Sequence, residues 1–192
     1  MTTDPAASTL AVNIAGWILC AACIPAFLVL RSRRAPRNSW MQGLLRFLAV
    51  WAPVLAANWL VKTFSSLVFH APPASQEVLL DFANATPVRK MLIAAAAILL
   101  MPAVEEWVFR ERLQTWLVRK TGLRRGIALT VLAFAAAHFS PSAFLPLAVL
   151  AIGLSLARLQ TGRLLPCIVT HALYNATTLS FLFLLGPSSL AP

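Results

Sequence analysis

Long apolar stretches separated by short charged loops dominate the chain. Several of these stretches reach the roughly 20 residues that an α-helix needs to cross a bilayer. They lie, in chain order, at Pro5–Leu30, Phe47–Val61, Met91–Val104, Ile127–Ala157 and Leu164–Pro192. The pattern predicts an all-α, polytopic bundle of transmembrane helices in which residues 1–192 form a single integral membrane domain.

The charged residues that flank these stretches set the helix ends. Four spans are predicted directly in this way, at Ala11–Leu30, Gly43–Val61, Met91–Val118 and Leu164–Leu185. The long polar connection between Lys62 and Lys90 is expected on the outer side of the membrane, with a short interfacial helix over Gln76–Phe82.

The apolar run Ile127–Ala157 is too long for one span. A single helix of this length would measure about 46 Å, whereas the hydrocarbon core of a bilayer is roughly 30 Å thick. Pro141 removes a backbone donor and disfavours helical geometry at Ser140. We therefore predict two short spans that meet at this point, which brings the predicted number of spans to six.

Composition and charge exclude two classes of protein, a water-soluble globular domain and a nucleic-acid-binding protein. Hydrophobic residues make up 59% of the chain and charged residues only 11%, which excludes a water-soluble globular domain. The net charge of +10 comes from Lys and Arg in short clusters between the apolar runs, so it indicates membrane topology and no nucleic-acid partner.

The positions of the basic clusters predict the orientation. They follow the first, third and fifth predicted spans, at Arg31–Arg37, Arg119–Arg125 and Arg158–Arg163. Positive charge marks cytoplasmic loops. We expect both termini outside and, for so short a chain, a location in the bacterial inner (plasma) membrane.

A few charged and polar residues fall inside the predicted spans. A charge at the centre of a spanning helix costs on the order of 2.5 to 3.5 kcal/mol on insertion scales, so such residues are expected to be paired or functional. Glu106 and Arg110 lie four residues apart and can pair on one helix face. Glu105 points about 100° away from that face.

Two later spans carry polar residues at the same spacing of four. Phe134 and His138 share one helix face, as do His171 and Asn175. Counting about 1.5 Å per residue from the helix ends places Glu105, His138 and His171 between the midplane and the inner surface. The three helices can therefore bring them to a common site.

The residues allow more than one chemistry. A carboxylate beside an imidazole can deprotonate a water, and a second imidazole with an amide can stabilise an oxyanion, which together would hydrolyse an amide. Glu105, His138 and His171 could instead bind zinc, although no HExxH motif is present. The metal-free interpretation is favoured. A proton or metal transporter is disfavoured because no inverted repeat is visible.

The order and spacing of three motifs resemble the CPBP family of intramembrane proteases, which groups CAAX prenyl endopeptidases of the Ras-converting type with bacteriocin-processing and immunity proteins. The motifs are Glu105-Glu106-x-x-x-Arg110, Phe134-x-x-x-His138 and His171-x-x-x-Asn175. The resemblance covers about residues 91–185, which we take as the catalytic core.

The resemblance implies an intramembrane endopeptidase that cuts near a membrane-embedded or lipidated segment. It assigns three groups of site residues: Glu105 and His138 activating the water, His171 and Asn175 forming the oxyanion site, and Glu106, Arg110 and Phe134 supporting it. The family has been described both as metalloproteases and as glutamic proteases, so zinc remains the alternative to a site without cofactor. A non-catalytic immunity or scaffold protein that uses the polar cluster structurally is the alternative function.

Overall fold

A computed structural model describes residues 38–70 and 77–185, together with positions 14, 16, 18 and 21–23. The described residues form helices joined by short turns, with no strand among them, which confirms the all-α prediction. We number the helices of the two continuous stretches α1 Ser39–Phe69, α2 Glu77–Asn84, α3 Pro87–Thr121, α4 Leu123–Ala136, α5 Pro141–Thr161 and α6 Leu165–Leu185. The first predicted span, Ala11–Leu30, falls on residues of which only those few positions are described.

Four of these helices, α1, α3, α5 and α6, are long and apolar enough to cross a membrane. The chain is an integral membrane protein. Helix α4 is the exception because it has only 14 residues. Its rise of about 21 Å is less than the roughly 30 Å of a hydrocarbon core.

The turns follow the chemistry of the residues that form them. Thr86 caps α3 by accepting a hydrogen bond from the Arg89 N–H at 3.4 Å, and Pro87 occupies the first turn, where its missing N–H costs nothing. Gly122, with φ of 84°, ends α3 and starts α4. Only glycine adopts this backbone conformation without strain.

The break predicted within Ile127–Ala157 is confirmed. Ser140 is extended, with φ of −123° and ψ of 102°, and Pro141 is the first residue of α5. Helix α2 also confirms the short helix predicted over Gln76–Phe82, displaced by one or two residues at its ends.

Small residues let the helices of the core approach closely. Gly43 of α1 lies against Pro166 and Val169 of α6, and the Thr170 hydroxyl donates to the Gly43 carbonyl at 3.0 Å. The buried core between the helices is apolar, with Val54, Phe134, Ala151, Leu154 and Cys167 each fully enclosed. This core holds α1, α4, α5 and α6 together.

Helix α3 is not uniform along its length. Two segments, Ala96–Leu100 and Trp107–Gln114, have the wider π-helical turn, and the α-helical segment Met101–Glu106 lies between them. Short π-helical segments change the rotation of the side chains that follow and are frequent at functional sites. The segment between them carries both glutamates of the predicted site.

Candidate active site

Glu106, Arg110 and His171 form a network with no access to solvent at its centre. The Arg110 Nη1 donates to Glu106 Oε1 at 3.2 Å, and both side chains are fully buried. The same oxygen lies 2.9 Å from His171 Nδ1. A single carboxylate oxygen thus ties α3 to α6, and the pairing predicted from the spacing of Glu106 and Arg110 is present.

Arg110 makes two further contacts that fix its guanidinium. Its Nη2 donates to the Ala151 carbonyl of α5 at 3.5 Å, and its Cζ lies 4.3 Å from the centroid of the Phe134 ring. A desolvated guanidinium over an aromatic face is stabilised by the ring quadrupole. Phe134 is therefore a partner for the charge as well as a packing residue.

The Phe134 ring lies at the centre of the site. Its centroid is 4.8 Å from that of His138 and 5.7 Å from that of His171. The Phe109 ring adds an edge contact at 5.1 Å. One fully buried ring thus touches the arginine and both histidines, which fixes their mutual positions.

Glu105 faces both histidines. Its Oε2 is 3.9 Å from His138 Nε2 and 3.8 Å from His171 Nε2. These separations are too long for direct hydrogen bonds, and Oε2, which is itself buried, has no hydrogen-bond partner among the described residues. The Glu105 and His138 side chains as a whole are 20% and 23% exposed, whereas the Glu106 side chain is fully buried.

The hydrogen bonds assign the protons of the two imidazoles. His138 Nδ1 lies 2.8 Å from the Phe134 carbonyl oxygen, which can only accept, so Nδ1 carries the proton. Glu106 pairs with the permanently charged Arg110 guanidinium, and a carboxylate can only accept hydrogen bonds. His171 Nδ1 therefore also carries a proton and donates it to Glu106. In the neutral imidazoles the lone pair is then on Nε2, the atom that lies 3.9 Å (His138) and 3.8 Å (His171) from Glu105 Oε2.

Asn175 binds the backbone of α3, not the side chains of the other site residues described above. Its Nδ2 donates to the Ala97 carbonyl of α3 at 2.8 Å. The amide has a second N–H available. Asn175 is thus joined directly to the backbone of the helix that carries Glu105.

Comparison with protein families finds a match, and it covers the part of the chain that carries these residues. Residues 87–177 match the family described as type II CAAX prenyl endopeptidase, Rce1-like. The matched stretch contains all three motifs and every predicted site residue. It is an Rce1-like domain. The match confirms, over residues 87–177, the family expected from the motifs, and at the level of that family it supports a CAAX-protease-like endopeptidase of the membrane. Comparison with curated proteins and with solved structures finds no match.

We call the Glu105 Oε2 and the Nε2 atoms of His138 and His171 the acceptor cluster. This cluster does not have the geometry of a closed zinc site. Ligands at roughly 2.0 to 2.1 Å from a tetrahedral zinc lie about 3.4 Å from one another. The separations of 3.8 and 3.9 Å between Glu105 and the two histidines are longer. Within residues 38–70 and 77–185, no group of His, Cys, Asp and Glu is arranged to hold a metal ion.

One buried polar residue beside the site was not predicted from the sequence. Gln114, one turn beyond Arg110, is buried, and its Nε2 donates to the Ser155 carbonyl at 3.3 Å. The spacing of four from Arg110 was a usable signal, because it extends the polar face of α3 by one turn.

Proposed function

We propose that the Rce1-like domain hydrolyses a peptide bond near the membrane-embedded or lipidated segment of a substrate, using a water activated by Glu105 and His138 without a metal. The observation that carries this proposal is the convergence of three acceptors: the Glu105 Oε2 and the Nε2 atoms of His138 and His171, with separations from Glu105 of 3.8 and 3.9 Å. Acceptors at such distances are stabilised by a molecule that donates between them.

Water meets this requirement because it has two donor hydrogens. One O–H would point to Glu105 Oε2 and the other to His138 Nε2, leaving an oxygen lone pair for attack. In the reaction the water oxygen bonds to the carbonyl carbon while Glu105 takes the proton. Collapse of the tetrahedral intermediate breaks the C–N bond, and the proton passes to the leaving nitrogen to give an amine and a carboxylic acid.

The family resemblance assigns His171 and Asn175 to the oxyanion site. The His171 Nδ1–H donates to Glu106 at 2.9 Å, which fixes the orientation of the ring. The second N–H of Asn175 is the donor available for the oxyanion.

The surroundings of the site fit a substrate that arrives from the membrane. Glu105 and His138 are partly accessible, and apolar side chains of the same helix, Val104 and Trp107, are nearly half exposed. Such a surface contacts lipid chains or an apolar substrate segment. We propose membrane lipids and a membrane-anchored or lipidated peptide or protein as partners, in a bacterial plasma membrane with both termini outside.

The test is cleavage of a panel of membrane-anchored and prenylated peptides by the purified full chain in lipid vesicles. Glu105→Gln removes the base and keeps the size of the side chain, so we expect the rate to fall by about 10²- to 10⁴-fold. The matched control is Glu111→Gln, on the same helix, whose carboxylate pairs with Arg158 at 2.7 Å, away from the acceptor cluster. This control should retain most of the activity.

Chelation separates the proposal from its alternatives. We expect cleavage to survive a chelator, whereas activity lost to chelation and restored by zinc would make Glu105, His138 and His171 metal ligands. Full cleavage by Glu105→Gln would exclude Glu105 as the base. A chain that cleaves no peptide of the panel, and whose Glu105→Gln variant keeps its biological role, would instead be an immunity or scaffold protein.

A further inference from the structure

Pro102 interrupts the hydrogen bonds of α3 three residues before Glu105. In the π-helical segment Ala96–Leu100 the register is shifted, so that the Met101 N–H donates to the Ala96 carbonyl. In the same register the next donor, for the Ala97 carbonyl, would be residue 102. Proline has no N–H, so the Ala97 carbonyl receives no donor from this position.

Asn175 donates to this same carbonyl. Its Nδ2 lies 2.8 Å from the Ala97 oxygen, across the interface between α6 and α3. A carbonyl without a partner in an apolar environment costs free energy comparable to a lost hydrogen bond. The side chain of α6 thus replaces the backbone donor that Pro102 lacks.

We propose that Asn175 is a positioning residue that substitutes for the missing Pro102 N–H and thereby fixes the segment Met101–Glu106. This assignment goes beyond the proposed hydrolysis, because it concerns the first N–H of the amide and not the oxyanion. Pro102 is fully buried, and the segment that it begins carries Glu105. A hydrogen bond from α6 at this point fixes both the rotation of Glu105 and its approach to His171, four residues before Asn175.

The sharpest test is a cycle of Asn175→Ala and Pro102→Ala. In the wild-type background, Asn175→Ala leaves the Ala97 carbonyl without a donor, and we expect the Tm of the purified protein to fall by about 2–4 °C. Alanine at position 102 restores a backbone N–H near this carbonyl. In the Pro102→Ala background the same Asn175→Ala change should therefore lower Tm by less than half as much.

Two controls make the comparison specific. Pro146→Ala removes a different buried proline, inside α5, and should leave the effect of Asn175→Ala unchanged. Asn175→Leu keeps the branched shape and removes the donor, so it should behave as Asn175→Ala does if the hydrogen bond, and not a cavity, is responsible. An equal loss of Tm in the wild-type and Pro102→Ala backgrounds would overturn the proposal.

The catalytic consequence is measured separately. On a peptide that the wild type cleaves, the double variant Pro102→Ala/Asn175→Ala should be roughly tenfold faster than Asn175→Ala alone. Pro102→Ala would restore the position of Glu105. A rate that does not recover would show that Asn175 acts only at the oxyanion and not by positioning. The Tm comparison needs no substrate, so its failure is distinguishable from failure of the proposed hydrolysis.

Discussion

At the scale of single residues, two adjacent glutamates have different surroundings. Glu106 is fully buried, and one of its oxygens accepts from both Arg110 and His171. The Glu105 side chain is 20% exposed, and its Oε2 has no hydrogen-bond partner among the described residues. The neighbouring groups, and not the residue type, distinguish the two glutamates, and the proposed hydrolysis uses the one whose oxygen is not already held by donors.

Phe134 gives a prediction at the same scale. Phe134→Leu keeps an apolar side chain but removes the aromatic face 4.3 Å from the Arg110 Cζ. A desolvated cation–π contact contributes about 2 kcal/mol, so the variant should unfold more readily, in thermal unfolding of the purified protein, by at least this amount. Phe109→Leu is the control, because that ring is 6.0 Å from the same atom. Equal destabilisation by the two variants would contradict a specific role for the Phe134 ring.

At the scale of elements, the hairpin of α3 and α4 sets the distance between Glu105 and His138. The two helices meet at Gly122 and approach closely at Gly126. On the far side, the Arg158 guanidinium of α5 binds Glu111 of α3 at 2.7 Å. Helix α3 is therefore held by α4, α5 and α6 at different points along its length, while much of its remaining surface is open to the membrane.

Gly126→Ala tests the hairpin. A Cβ at this position would lie 2.6 Å from the backbone N and Cα of Val118, atoms that cannot move without displacing α3. We expect a loss of stability of about 1–3 kcal/mol and a loss of cleavage. Gly162→Asn is the control, because a Cβ there meets no atom within 4 Å and asparagine tolerates the left-handed conformation. Tolerance of Gly126→Ala would show that the hairpin can adjust without disturbing the site.

Some features of these helices could be predicted from the sequence and others could not. The break at Ser140 and Pro141 was predictable, because proline restricts its own backbone and that of the preceding residue. The pairing of Glu106 with Arg110 followed from their spacing. The π-helical segments were not predictable, because side-chain periodicity does not report the register of backbone hydrogen bonds. The contact of Asn175 with the Ala97 carbonyl was not predictable either, because it forms only where α6 packs against α3.

At the scale of the whole molecule, the two ends of the helix bundle carry different charged residues. The basic loops that include Lys120 and Arg163 lie at one end, as the contact of Arg158 with Glu111 requires. The opposite end carries the exposed pair of Asp81 and Arg89, 3.2 Å apart. This arrangement agrees with the positive-inside rule if the first of these ends is cytoplasmic.

Labelling with a membrane-impermeant thiol reagent tests this orientation. In a variant without the three native cysteines, Lys120→Cys should react only after the membrane is opened, whereas Asn84→Cys should react in intact cells. Both positions are exposed. The reverse pattern would invert the topology and place both termini in the cytoplasm.

The short helix α4 has a consequence for the lipid around the protein. Its C-terminus at Ala136 is followed by His138 and Phe139 outside any helix, and the Phe139 side chain is 93% exposed. A helix of about 21 Å beside longer spans creates hydrophobic mismatch. A bilayer relieves such mismatch by thinning locally, which brings headgroups and water closer to the end of the short segment. In the proposed hydrolysis, the shape of the bundle would thus deliver water to His138 through a local deformation of the bilayer, and the rate would depend on the thickness of the host membrane.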